Sequence, residues 1–244
     1  MLLRVLLGEG ELIEKILHLL VAVIALLPSL TFHEWAHGYV AYKLGDDTAK
    51  SDGRLSLNPL DHLDPVGALM LLLVGYGWAK PVPVNTRSFK KPKRDFALCS
   101  LAGPVANFVL AFVSALLYVA SFFLFLEYGA DTGDFSITAE VVLLIFQYSM
   151  SLNIGLALFN LIPLPPLDGS NVLMCILPNR LAAKYSRIRY YTRYIFLGLI
   201  ILNWAPYPLS QIGDMLFMPL HWLNGTLNDL FIEIWANILS PLFG

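Results

Sequence analysis

Charge is scarce in this 244-residue sequence. Asp, Glu, Lys and Arg together make up 14% of it, against about 25% in an ordinary soluble domain. With a formal net charge of −2 there is no basic face for nucleic acid and no single-sign tail. Cysteine is scarcer still. Cys99 and Cys175 are the only two, both in apolar segments and with no CxxC, so a disulfide framework is excluded. Each reads as a small hydrophobic filler. What the sequence has in excess is apolar surface: 57% hydrophobic residues and a mean hydropathy of +0.65. Disordered chains and coiled coils are excluded on that ground, and a soluble domain of this size cannot bury so much. The composition is that of a membrane protein. The length allows about five or six spans of about 20 residues, organised as one membrane-embedded domain over 1–244 without an appended soluble domain.

The first apolar run extends from Leu12 to about Val40. It does not read as a cleaved signal peptide, because Glu9, Glu11 and Glu14 stand where a basic cluster belongs, the run is long, and no A-x-A site ends it. Val66–Gly75 is too short to span and reads as a half-helix or re-entrant piece. Phe96–Leu126 and Ile137–Ile162 are each long enough to cross. Tyr194–Leu202 and Leu209–Leu239 are interrupted by Asn203, Pro206, Pro208, Asn224 and Gly225, so the last third holds between one and three spans. Lys80, Arg87, Lys90, Lys91, Lys93 and Arg94 precede the span at Phe96; Arg180, Lys184, Arg187, Arg189 and Arg193 follow the one ending near Ile162. The intervening loop Glu127–Ser136 carries Glu127, Asp131 and Asp134 and no base. The positive-inside rule places both basic clusters, and with them Lys43, Lys50 and Arg54, in the cytoplasm.

Against this background one group of residues is out of place. Near the end of the first apolar run stands Phe32-His33-Glu34-Trp35-Ala36-His37, an HExxH pattern. Helical positions i and i+4 share a face, so both imidazoles can reach one metal ion. Zinc lowers the pKa of a bound water to about 7, and Glu34, beside the first ligand, can take its proton as general base. Ionisable residues in a membrane span are costly and are functional by default; stacking interfacial histidines with a snorkelling Glu34 are the structural alternative.

A third ligand is available in Asn160-Leu161-Ile162-Pro163-Leu164-Pro165-Pro166-Leu167-Asp168-Gly169. Three prolines in this stretch break the preceding helix. Irregular backbone at membrane depth is tolerated only inside protein or along a watery cavity, so Asp168 faces a polar site. It is also placed to cap a helix starting near Gly169, and the two roles are compatible. Both motifs fall near the cytoplasmic ends of their helices, at one depth.

HExxH, NPLDHLDPVG at Asn58–Gly67, GWAKPVPVN at Gly77–Asn85, GPVANFVLA at Gly103–Ala111 and NLIPLPPLDG at Asn160–Gly169 occur in order. Together they resemble the site-2 protease family of intramembrane zinc metalloproteases over about Leu12 to Leu177. The resemblance implies that His33, His37 and Asp168 bind one Zn2+ and that Glu34 is the catalytic base. It corresponds to a minimal member, a catalytic core of about 12–177 followed by C-terminal helices of about 190–244, without an inserted PDZ-like or CBS-like domain. It also places an Asn near the active site at the position of Asn160, where the amide can donate to a developing oxyanion or make an interhelical hydrogen bond.

Asn107 and Asn153, also in apolar helices, read as interhelical packing hydrogen bonds. His18 lies about four helical turns from His33 and cannot share its metal; His62 and His221 read as packed or interfacial. Lys80 after Trp78 reads as an interfacial anchor, and Arg87–Arg94 as a contact with anionic lipid headgroups. Lys50–Leu57 and Ala79–Asn85 read as short extended pieces, the latter limited to an edge by Pro81 and Pro83. A strand there can pair with a locally unwound transmembrane substrate.

The expectation is therefore an all-α polytopic membrane protein with a small β-hairpin or re-entrant element near the cytoplasmic face. Its function is zinc endoproteolysis of transmembrane protein substrates, in regulated intramembrane proteolysis or clearance of signal-peptide remnants. Its partners are those substrates and the lipid bilayer, not nucleic acid, in the plasma membrane of a prokaryote. A catalytically inactive binder of membrane segments and a metal transporter are the alternatives. The intact HExxH argues against the first, and the lack of a second relay of ionisable residues against the second.

Overall fold

The computed structural model describes residues 12–74, 78–132, 137–204 and 209–243. These are almost entirely helical. Helix α1 is Leu12–Lys43, α2 Thr48–Ser51, α3 Pro59–His62, α4 Pro65–Val74, α5 Pro92–Thr132, α6 Ile137–Leu161, α7 Asp168–Ile176, α8 Asn179–Trp204 and α9 Leu209–Leu239. Three of them, α1, the 92–127 part of α5, and α6, are long and apolar enough to cross a membrane.

These three spans pack on one another, and the reason is side-chain size. The face of α1 that points inward carries Val21, Ala22, Ala25, Ser29, His33 and Ala36, all buried, while Leu20, Ile24 and Phe32 point outward. Small residues at helical spacing let backbones approach where no water drives helices together. Pro28 lies inside α1 and lacks an N–H; beside it the hydroxyls of Ser29 and Thr31 donate to the carbonyls of Ala25 (2.6 Å) and Leu27 (2.7 Å). On α5 and α6, Ala111, Ala115, Met150 and Ile154 form a buried core, against which α9 sets Leu227, Phe231, Ile232 and Trp235. Trp235 Nε1 donates to Phe112 O (3.0 Å), and Asn224 Nδ2 to Ser151 O (3.0 Å).

On the outer side of α1, Trp35 stacks on Tyr39 with ring centroids 4.8 Å apart, and Lys43 Nζ lies over the Tyr39 ring. Aromatic rings followed by a snorkelling base mark a membrane–water boundary, here at the C-terminal end of α1.

The expected β-hairpin is not found among the described residues. Thr48–Ser51 is a helical turn instead, because buried Asp46 accepts from the backbone N (3.1 Å) and hydroxyl (2.5 Å) of Thr48. Segment 79–85 forms no strand: Pro81 and Pro83 have no N–H to give a ladder, and pairing stops at one antiparallel bridge between Leu63 and Ala79. The connection to the first piece runs through a side chain: Arg54 Nη2 donates to Lys80 O (2.8 Å). The short apolar run is the half-helix α4. In the last third, α8 starts at Asn179, well before Tyr194, because its basic first half is invisible to hydropathy. Helix α9 runs unbroken through Asn224 and Gly225; one interior glycine costs only about 1 kcal/mol. Pro206 and Pro208 lie outside the described residues.

Candidate metal centre

His33 and His37 lie one turn apart on α1 with their rings edge to face, centroids 4.7 Å apart. Asp168 opens α7. What carries it there is the proline-rich turn, which ends α6 at Leu161 and folds back on it: a Cβ on Gly169 would run into the carbonyl of Leu161. Leu167, not Asp168, is the N-cap of α7, and no side chain caps that end. The carboxylate is free for the histidines.

Asp168 Oδ2 lies 3.2 Å from His33 Nε2 and 3.3 Å from His37 Nε2, and the two Nε2 atoms are 3.2 Å apart. The three donors thus form a nearly equilateral triangle. Zinc binds such ligands at about 2.0 Å in a tetrahedron, which sets neighbouring ligand atoms about 3.3 Å apart. The donor set fits: two imidazoles and one carboxylate with a fourth position open is a hydrolytic pattern. Among the described residues this is the one cluster of at least three His, Cys, Asp or Glu side chains able to share an ion.

The other ring nitrogens are engaged by α5. His37 Nδ1 is 2.7 Å from the carbonyl oxygen of Cys99, which can only accept, so Nδ1 carries the proton. His33 Nδ1 is 2.5 Å from Asn107 Oδ1. With Nδ1 engaged, each ring turns its Nε2 towards Asp168, and these three atoms converge on a position that a shared metal cation can take. Helix α5 can come this close because residue 103 is glycine; a Cβ there would intrude on both Nε2 atoms.

Glu34 is half-buried, and its Oε2 accepts the backbone N–H of Val82 (3.0 Å). The segment carrying Val82 lies across α1, where a Cβ on Gly38 would meet Val82 Cγ1 at 3.1 Å. Asp46 holds its far end by accepting from Asn85 N (2.6 Å). Asn160 sits in the last turn of α6, its amide donating to Leu156 O (3.0 Å) rather than to the cluster. His18 bonds Tyr148 (3.0 Å), buried His62 bonds Ser56 O (2.7 Å), and exposed His221 lies against Phe217.

Three participants were missed by sequence reasoning: Asn107, Gly103 and the Cys99 carbonyl. Asn107 and Gly103 sit in the GPVANF motif, and that motif was the available signal. A backbone carbonyl leaves none.

Residues 21–202 match peptidase family M50. The chain is 42% identical to YwhC of Bacillus subtilis (strain 168), named as a zinc metalloprotease, over 90% of this chain and 93% of that one. It is 32% identical to Rip2 of Mycobacterium tuberculosis (strain H37Rv), likewise named, over 66% of this chain and 60% of that one. A zinc metalloprotease of Methanocaldococcus jannaschii is 30% identical over 66% of this chain and 35% of its own length. No solved structure gives a significant match.

Proposed function

From the premise that the chain belongs to peptidase family M50 and is a membrane-embedded zinc metalloprotease, we propose that it cleaves transmembrane segments inside the bilayer. The observation that carries this reading is the position of the histidines on a spanning helix. His33 lies inside the spanning helix α1 (Leu12–Lys43), ten residues before its end, just on the membrane side of the boundary marked by Trp35, Tyr39 and Lys43. A site at that depth serves a substrate that is itself in the membrane.

In this reading His33, His37 and Asp168 hold the zinc. A bound zinc supplies Lewis acidity, polarising a carbonyl and acidifying a water. Glu34 takes the proton of the attacking water and delivers it to the leaving amine. Oε2 is held by Val82 N–H, which aims the carboxylate and leaves its other oxygen for the proton. Asn160 contributes a donor to the developing oxyanion after exchanging its bond to Leu156 O. Segment 79–85, kept out of a sheet by its prolines, offers its remaining backbone groups to the unwound stretch of the substrate. The described helices act as one catalytic domain, with α8 and α9 as its C-terminal support. The basic residues before α5 and in α8 favour a cytoplasmic location of the site, in the plasma membrane of a prokaryote.

The test is cleavage of a single-span peptide in proteoliposomes by the purified chain and by Glu34→Gln. Cleavage within the span by the wild type alone supports the reading. Cleavage confined to soluble peptides, or undiminished in the variant, overturns it. A transporter is not favoured, since the described residues hold no second cluster along a path; zinc flux into the same liposomes would reverse that.

A further inference from the structure

We propose that Asn107 is a positioning residue for the metal site: its amide oxygen sets the tautomer and ring orientation of His33, and is itself aimed by Asn153 and Ser29. The inference rests on the metal-site reading above and concerns residues outside the ligand set.

An asparagine amide can be turned either way, and the two orientations have opposite consequences here. With Oδ1 towards His33, Nδ1 carries the proton and Nε2 is free to bind a metal. With the NH2 group towards His33, Nδ1 must accept, the proton moves to Nε2, and that nitrogen can no longer be a ligand. The surrounding acceptors decide between them. Asn107 Nδ2 lies 3.1 Å from the backbone carbonyl of Ser29 and 2.6 Å from Asn153 Oδ1. A backbone carbonyl only accepts, so Nδ2 belongs on that side. Asn153 is oriented by the same logic, because its Nδ2 meets Ser149 O (2.7 Å) and Ser29 Oγ (2.8 Å). The Ser29 hydroxyl in turn gives its proton to Ala25 O (2.6 Å).

All donors therefore run one way: His33 to Asn107, Asn107 to Asn153, Asn153 to Ser29, Ser29 to Ala25. Three backbone carbonyls, of Ala25, Ser29 and Ser149, fix the direction. Asn107, Asn153 and Ser29 are each 0% exposed, so no water competes for these bonds. The relay joins all three spans, since Ser29 is on α1, Asn107 on α5 and Asn153 on α6. Helix α6 also leads directly into the turn that presents Asp168. One helix thus aims the amide behind the first ligand and delivers the third.

The experiment is zinc affinity by chelator competition, with the cobalt-substituted absorption spectrum as a second readout, on the detergent-purified full chain. Asn107→Leu removes the acceptor at similar volume. It is expected to bind zinc about 10- to 100-fold more weakly, with a changed cobalt spectrum. Asn107→Asp keeps an acceptor oxygen facing His33, while its second oxygen must carry a proton to face the Ser29 carbonyl and Asn153 Oδ1; it is expected to melt at a lower temperature but to retain affinity within about tenfold. A packing role alone would shift the melting temperature of both variants and leave affinity and spectrum unchanged. Affinity within threefold of wild type in Asn107→Leu overturns the proposal, as does an equal loss in the leucine and aspartate variants. Should the leucine variant not fold, Asn107→Ala is read by the same criteria. A wild-type chain that binds no zinc defeats the metal-site reading itself, a distinct result.

Discussion

Gly103 and His33 stand so close that a Cβ on the glycine would lie 2.6 Å from His33 Cε1 and 2.7 Å from its Nε2. No side chain fits between α5 and the two imidazoles, so glycine is required there by the approach of a neighbouring helix to both Nε2 atoms. Backbone freedom is not the reason. Gly103→Ala is therefore expected to weaken zinc binding by at least about tenfold, since overpacking typically costs about 1–3 kcal/mol and the ligands themselves must move. Chelator competition on the folded variant checks this; wild-type affinity would mean that α5 yields instead.

Asp168→Ala is expected to lose most of its zinc. Elemental analysis of wild type and variant, side by side, is the first measurement to make. About one zinc per wild-type chain and a clear loss in the variant would tie the proline-rich turn to the HExxH helix as one site. Full retention would mean that the third ligand lies elsewhere.

Glu34→Gln keeps the side-chain shape and the hydrogen bond from Val82 but cannot take a proton. It is expected to bind zinc normally and to cleave about 10²- to 10⁴-fold more slowly. The separation of the two readouts is the point: loss of zinc in this variant would make Glu34 a structural or ligand residue.

Val82→Pro tests what holds Glu34. It removes the N–H that Glu34 Oε2 accepts, at a position already flanked by Pro81 and Pro83. A hydrogen bond to a charged group is worth about 1.5–3 kcal/mol, so turnover is expected to fall about 10- to 100-fold with zinc content unchanged. Unaltered turnover would show that the carboxylate is aimed by its own helix alone.

Much of the site was legible because its spacing is local. His33 and His37 are one helical turn apart, and that relation holds on any helix. The spans α1, α5 and α6 could be read to within a few residues because lipid demands long unbroken apolar runs and satisfied backbone. Asp168 was legible less directly, through prolines that had to end a helix at membrane depth. The strand reading of Lys50–Leu57 did not survive: Lys50 and Ser51 end a helical turn held by Asp46, and among the described residues 54–57 finds no strand to pair with. Alternation of polar and apolar residues carries no record of such a contact.

What only the tertiary structure decided are the relations between helices. Asn107 and Asn153 look alike in the sequence, two polar residues in apolar runs, and both were expected to make packing hydrogen bonds. They do, yet one of those bonds ends on His33, and only the crossing of α1, α5 and α6 determines which. The Cys99 carbonyl behind His37 is invisible in principle, since every residue has one. Chemistry written in side-chain type and in i, i+4 spacing belongs to the chain. The orientation of an amide, the tautomer of a ring and the closeness of a glycine belong to the packing, because each depends on atoms more than sixty residues away in the sequence.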